Sequence, residues 1–163
     1  MRAFLTRLRH WSLGLHLLPS LLANAHHRKL LTEMRSLGQQ LPTLLKQPLP
    51  RAMAELETMQ VERPFPLPPE TKTRQLADLA ALLDRRSPLG LCLRRSLLRY
   101  RYLHELKVPV TVLFGAKFAP GETPDKKKIA GHAWLVLGER PYHEDDENWQ
   151  GYTVMLRWPE AKK

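Results

Sequence analysis

Leu91-Cys92-Leu93-Arg94-Arg95-Ser96-Leu97-Leu98 contains the only cysteine of the chain and opens a run of helical character. Ser87-Pro88-Leu89-Gly90 stands directly before it and breaks the preceding element. At about 100° per residue, Arg94, Arg101 and Glu105 share one narrow polar stripe. Leu93, Leu97, Leu98, Tyr100, Tyr102, Leu103 and Leu106 cover the rest of the circumference. A helix over about 91–106 with that pattern is largely buried. The single thiol therefore stands at the start of a central helix.

Strand signals follow that helix. Val108 to Phe118 alternates and is rich in β-branched residues. Ala119 to Lys128 reads as a polar loop whose tip, Lys126-Lys127-Lys128, is solvated. Ile129 to Leu137 makes a second strand, Gly138-Glu139 its turn, and Arg140 to Glu144 its partner. An acidic loop over 144–150 and a last strand over 152–158 complete the order. Helices first, one central helix, then an antiparallel sheet make an α+β domain. The strand over 108–118 is the expected sheet edge, where an extended peptide can be captured by β-augmentation.

His132 lies forty positions after the cysteine (132 − 92 = 40), in Gly131-His132-Ala133-Trp134. Residues equidistant from the turn at 138–139 pair, which sets residue 132 opposite about 145. Glu144 is then the expected neighbour of His132, with Asp145 and His143 as rivals. A thiol at a helix start, an imidazole on a strand and a carboxylate beside it are the parts of a cysteine-nucleophile triad. Cys92 is the candidate nucleophile, His132 the base and Glu144 the residue that orients it. Each also has a purely structural reading: a lone cysteine is often a small core residue, and Gly131 can mark a bulge. Trp134 shares the face of His132 and serves either as a wall of the site or as core.

Upstream, residues 1–62 read as a helical region, with pieces near 2–22, 26–41 and 50–61. Residues 63–70, around Arg63-Pro64-Phe65-Pro66-Leu67-Pro68-Pro69, form an extended linker or strap. Residues 71–163 hold the catalytic core, whose first helix is capped by Thr71 or Thr73. Phe4, Leu8, Trp11, Leu15, Leu18 and Leu22 form one helical stripe, expected to pack on the domain. The competing reading is a signal peptide, since Arg2, Arg7 and Arg9 precede an apolar run and Ala23-Asn24-Ala25 mimics a cleavage site. The apolar run is too short to span a bilayer as a helix, which argues against an integral membrane protein.

The chain has 163 residues, 43% of them apolar, and a net charge of +10. Residues 1–50 carry seven Lys/Arg against one acid, and residues 91–120 carry six against one. Such a balance suits an acidic partner, yet no RNP-like, zinc-finger or helix-turn-helix signature supports nucleic acid. Arg94, Arg95, Arg99 and Arg101 either attract an acidic peptide near the thiol or only cap buried acids or face solvent. One cysteine excludes an internal disulfide framework and suits a reducing cytosol, so the expected location is cytoplasmic. His26-His27, and His143 with the acids at 144–147, lack a metal-binding spacing. No cofactor or metal is expected.

Cys92-Leu93-Arg94-Arg95-Ser96-Leu97, then Val110-Thr111-Val112-Leu113-Phe114-Gly115, then Gly131-His132-Ala133-Trp134 resembles the lasso-peptide leader peptidase. That family is the transglutaminase-like cysteine-protease half of the split lasso B protein. The resemblance covers about residues 76–158. It implies a transglutaminase-like or papain-like core, with the buried helix at Cys92 packed on a small antiparallel sheet. It also implies a cytosolic protease that removes the leader peptide from a ribosomally made lasso precursor. The partners it implies are that leader peptide, a separate leader-recognition-element protein and, as a further candidate, the ATP-dependent lasso cyclase. Cys92 matches the family nucleophile and His132 its base. The family's third member is usually an aspartate; Glu144 stands there without a gap, and Asp145 or Asp146 with a shift of one or two. Where the family often has an acid four residues after the histidine, this chain has Val136. Two other functions fit the same residues: an acyl transferase or amidase acting on another peptide, and a non-catalytic basic scaffold that docks an acidic peptide.

Overall fold

The structure is a computed structural model that describes residues 15–59, 62–119 and 128–160. Its helices are α1 (15–23), α2 (Ala25–Leu44), α3 (Leu49–Thr58), α4 (Glu70–Leu83), α5 (Leu91–Glu105) and the short α6 (Asp146–Trp149). Its strands are β1 (Val110–Ala119), β2 (Lys128–Leu137), β3 (Arg140–Pro141) and β4 (Thr153–Trp158). All pairings are antiparallel, in the order β3-β2-β1-β4. The α+β class read from the sequence is the class found.

One apolar core holds the helices on one face of the sheet. Leu30, Met34 and Leu41 of α2, Met53 and Leu56 of α3, and Leu76 and Ala80 of α4 surround Leu97, Leu98, Tyr100, Tyr102 and Leu103 of α5. Val110, Val112 and Leu135 supply the strand side of that core. On a strand, alternate residues share a face. Phe114, Ala116 and Phe118 therefore share the helix-covered face with Val112, as do Ala133, Gly131 and Ile129 with Leu135. The opposite face carries a second, smaller cluster of Leu113, Trp134 and Val136, with Trp149 and Tyr152 against it.

Several expectations change. The strand over 108–118 is no edge: β1 lies between β2 and β4, paired along both sides. The hairpin partner of β2 is only two residues long, pairing with Val136 and Leu137, so among the described residues no strand lies beyond the rest of β2. Neither Thr71 nor Thr73 caps α4; the cap is Pro69, and Thr73 turns its hydroxyl to the Pro68 carbonyl at 2.7 Å. α2 continues through Pro42 to Leu44, because burying Leu41 and Leu44 outweighs the one helical bond proline forfeits.

Phe4, Leu8 and Trp11 lie outside the described residues. The described part of that stripe does not pack on the domain: Leu15, Leu18 and Leu22 face solvent, and Leu17 is the buried one. Asn24, in the cleavage-site mimic, is the N-cap of α2, its side chain accepting from the N–H groups of His26 and His27. No helix among the described residues is long and apolar enough to cross a membrane.

Candidate active site

Cys92 is the second residue of α5, and its side chain is partly exposed. Gly90 is the N-cap and offers no side-chain hydrogen bond, so the first backbone N–H groups of α5 have no capping side chain. Such a helix end carries partial positive charge and free donors, which favour a thiolate and an oxyanion.

The three residues at 94–96 each fix a different side of this helix start. Arg94 turns back and donates to the carbonyls of Leu89 and Ala81 at 3.1 and 2.7 Å, and to that of Asp84. It pins the loop that delivers the chain to Cys92. Arg95 Nη2 donates to both carboxylate oxygens of Glu144, at 2.8 and 2.6 Å. Ser96 Oγ donates to the carbonyl of Ala133 at 2.8 Å, docking α5 on β2. Cys92 precedes Ser96 by one turn, about 6 Å along the axis, on the same helix face.

The direction of that step is set by a second pair of contacts. Arg95 reaches Glu144, and Arg99, one turn later, reaches the carbonyl of His143 at 3.4 Å. The 140s run antiparallel to β2, so α5 travels toward Leu135 along its length. Its N-terminus points the other way, toward His132 and Gly131. The start of α5 is thus directed toward the part of the β2 edge that β3 leaves uncovered.

His132 stands on the face opposite the main core, stacked on Trp134 at 5.6 Å between ring centroids and beside Tyr152 at 5.2 Å. Its side chain is 10% exposed. Nε2 lies 3.8 Å from Glu144 Oε1 and, though buried, has no hydrogen-bond partner among the described residues. A shift of about 1 Å closes that gap to hydrogen-bond length. Burial lowers the His132 pKa below the ordinary imidazole value, opposed by the Glu144 carboxylate and reinforced by Arg95 and Lys117. The ring is therefore neutral at pH 7 and able to accept a proton. Nε2 is the ring nitrogen that faces Glu144.

The structure gives the other candidates different surroundings. His143 adopts a left-handed backbone (φ 50°) and sets its ring edge-on against Tyr142, 4.7 Å away. Asp145 is exposed, and the side chain of Asp146 lies outside the described part of the structure. Arg94, Arg95, Arg99 and Arg101 are all engaged in buried or half-buried contacts: Arg99 pairs with Asp78 at 2.5 Å and Arg101 with Glu105 at 2.9 Å. The reading of these arginines as an acidic-peptide magnet is overturned. Among the described residues no group of three His, Cys, Asp or Glu could hold a metal ion. The Lys126-Lys127 part of the lysine tip lies outside the described residues.

Two contributors escaped the sequence reading. Asn148 donates to Glu144 Oε1 at 3.1 Å, and Tyr152 packs on the imidazole while Lys117 sits 4.1 Å above the tyrosine ring. Neither residue type signals a site on its own. Gly131 is not at a bulge, since β1 and β2 pair without a break, and a Cβ there would meet nothing within 4 Å.

Residues 37–157 match the sequence profile of the transglutaminase-like superfamily. The chain belongs to this superfamily. The match starts inside α2, ends in β4 and includes Cys92, His132 and Glu144. The transglutaminase-like superfamily includes cysteine proteases and acyl transferases. No curated protein and no solved structure matches the chain.

Proposed function

We propose that this transglutaminase-like chain is a cysteine peptidase that removes the leader from a ribosomally made lasso precursor. The supporting observation is the buried His132 Nε2, 3.8 Å from Glu144, on the strand whose edge the N-terminus of α5 faces. The motif resemblance to lasso leader peptidases supplies the substrate class.

In this reading His132 takes the thiol proton of Cys92, and the thiolate attacks the scissile carbonyl. The oxyanion that forms lies at the uncapped start of α5, within reach of its free N–H groups. His132 then gives its proton to the leaving amine, which becomes the first residue of the core. Glu144 closes on Nε2 as the ring becomes cationic, and Arg95 and Asn148 hold the carboxylate in place for that moment. Water releases the leader from the sulfur. The leader arrives bound to a recognition-element protein, and the ATP-dependent cyclase takes the freed core.

The test is mass spectrometry of the precursor after incubation with this chain and the recognition partner. Two fragments whose masses sum to precursor plus water are expected, and none with Cys92→Ala. Unchanged processing by Cys92→Ala would end the reading. A leader product that carries an added amine would make the chain an acyl transferase instead.

A further inference from the structure

The β1–β2 hairpin continues past the helix that covers it. On the helix-side face, Phe114 and Ala133 are a paired row beneath α5. The next rows outward are Ala116 with Gly131, then Phe118 with Ile129. Phe118 and Ile129 are each 72% exposed. The row between them and the covered core has almost no side-chain height, because Gly131 has no Cβ and the space at that position is open. A shallow trough with an apolar outer step therefore lies beyond the first turn of α5, the turn that holds Cys92.

The backbone beside this trough has the polarity to hold a peptide. The Leu135 carbonyl points out of the sheet edge and accepts the Tyr142 N–H at 2.8 Å. The Ala133 carbonyl, two residues earlier, points the same way and accepts from Ser96 at 2.8 Å. By the strand period of two, the backbone groups of Gly131 and Ile129 face the same edge. No described strand pairs with β2 there.

The proton path selects which half of a substrate lies here. The leaving amine takes its proton from His132, whose ring is on the opposite face with Trp134 and Tyr152. The acyl half stays on sulfur, on the side of the sheet that α5 covers. We propose that the Gly131–Ile129 edge is the acyl-side subsite: an extended peptide lies along it as an added strand and sets an apolar side chain on Phe118 and Ile129. With the scissile residue beside Gly131, two strand steps, about 6.6 Å, put the third residue before the cut over that apolar pair. The inference rests on the peptidase reading and gives the leader an apolar residue at that position.

Two peptide electrophiles test it on the full chain: N-acetyl-Leu-Ala-Gly chloromethyl ketone and its Asp-Ala-Gly counterpart. Each alkylates Cys92 as the S–C bond forms, chloride leaves and the thiol proton passes to the base. The Leu probe is expected to react about ten-fold or more faster than the Asp probe. Ile129→Glu and, separately, Phe118→Glu should bring that ratio to within about two-fold. Iodoacetamide, which needs no subsite, should react with both variants at the wild-type rate. Equal rates for the two probes on the wild-type chain, or a preference that survives both variants, would overturn the subsite. Precursor cleavage without probe preference rejects the subsite alone. Probe preference with unchanged processing by Cys92→Ala rejects the peptidase reading alone and leaves the subsite standing.

Discussion

Arg95 Nη2 and Glu144 Oε2 stand 2.6 Å apart, while the same carboxylate is 3.8 Å from His132 Nε2. The Glu144 side chain is 1% exposed, so Arg95 supplies its charge balance, not solvent. Arg95 is one turn beyond Cys92 on α5, which links the position of the nucleophile helix to that of the carboxylate. In the proposed peptidase reading Arg95 is a positioning residue, acting on the imidazole through Glu144 and through its own field.

That field gives a pH signature. His132 is held below the ordinary imidazole pKa of 6.5, so its base form persists as pH falls past that value. The acid limb of kcat/KM should lie below pH 6.5 in the wild-type chain. Arg95 lowers the His132 pKa, so Arg95→Gln should move the limb to higher pH. Glu144 raises it, so Glu144→Gln should move the limb to lower pH and reduce kcat. A pH–rate profile of the three proteins checks this; shifts of the same sign in both variants contradict the geometry.

Alkylation separates the thiol from its base. Iodoacetamide reads how readily Cys92 ionises, independent of any peptide. His132→Ala should slow alkylation at pH 7 by about ten-fold or more, since it removes the proton acceptor. Lys46→Gln, at an exposed turn far from the site in sequence, should leave the rate unchanged. Equal rates in wild type and His132→Ala would show that the imidazole does not serve this thiol.

Stability concentrates in the buried pairs that join α5 to its neighbours. Arg99 and Asp78 make two hydrogen bonds, at 2.5 and 2.8 Å, between α5 and α4, both side chains at most 10% exposed. Asp78→Ala leaves a buried guanidinium without its carboxylate and should cost about 3–5 kcal/mol in urea unfolding. Replacing Asp78→Leu together with Arg99→Met should recover part of that loss, because the Arg99 guanidinium is then no longer stranded, while Arg74, 3.6 Å from Asp78, still loses its carboxylate. A double variant as unstable as the single one would show that the pair's geometry, not its charge, holds the helices.

The sequence carried the order of elements and the nearness of His132 to Glu144 because both are local patterns. The apolar circumference of α5, the alternation in β1 and β2 and the turn at Gly138-Glu139 need only neighbours in the chain. The hairpin count placed Glu144 near His132 although the ladder itself stops at Pro141. What failed depends on partners far along the chain. β4 pairs with β1 across the whole of β2 and β3, so nothing local showed that β1 is central. Arg94, Arg95 and Arg99 look like free cations until Asp84, Glu144 and Asp78 are brought to them. The stripe of Leu15, Leu18 and Leu22 has helical spacing, but spacing does not say which face meets the core.

Gly115 shows how a residue without chemistry can set the site. It lies opposite His132 in the β1–β2 ladder, on the face of Trp134. A Cβ there would stand 2.9 Å from two atoms of the indole ring and 3.1 Å from Tyr152 Cβ. These two rings are the ones packed on the imidazole. Gly115→Ala must push the indole or Tyr152 aside, and a buried indole at the sheet surface has little freedom to yield. The expected cost is about 1–3 kcal/mol of stability. In the peptidase reading the larger loss should be in turnover, since a displaced imidazole loses its place beside Glu144. Urea unfolding and precursor cleavage measured side by side check this: kcat should fall by about ten-fold or more while KM changes little. Full turnover by a destabilised Gly115→Ala protein would show that His132 is held by something other than its aromatic neighbours.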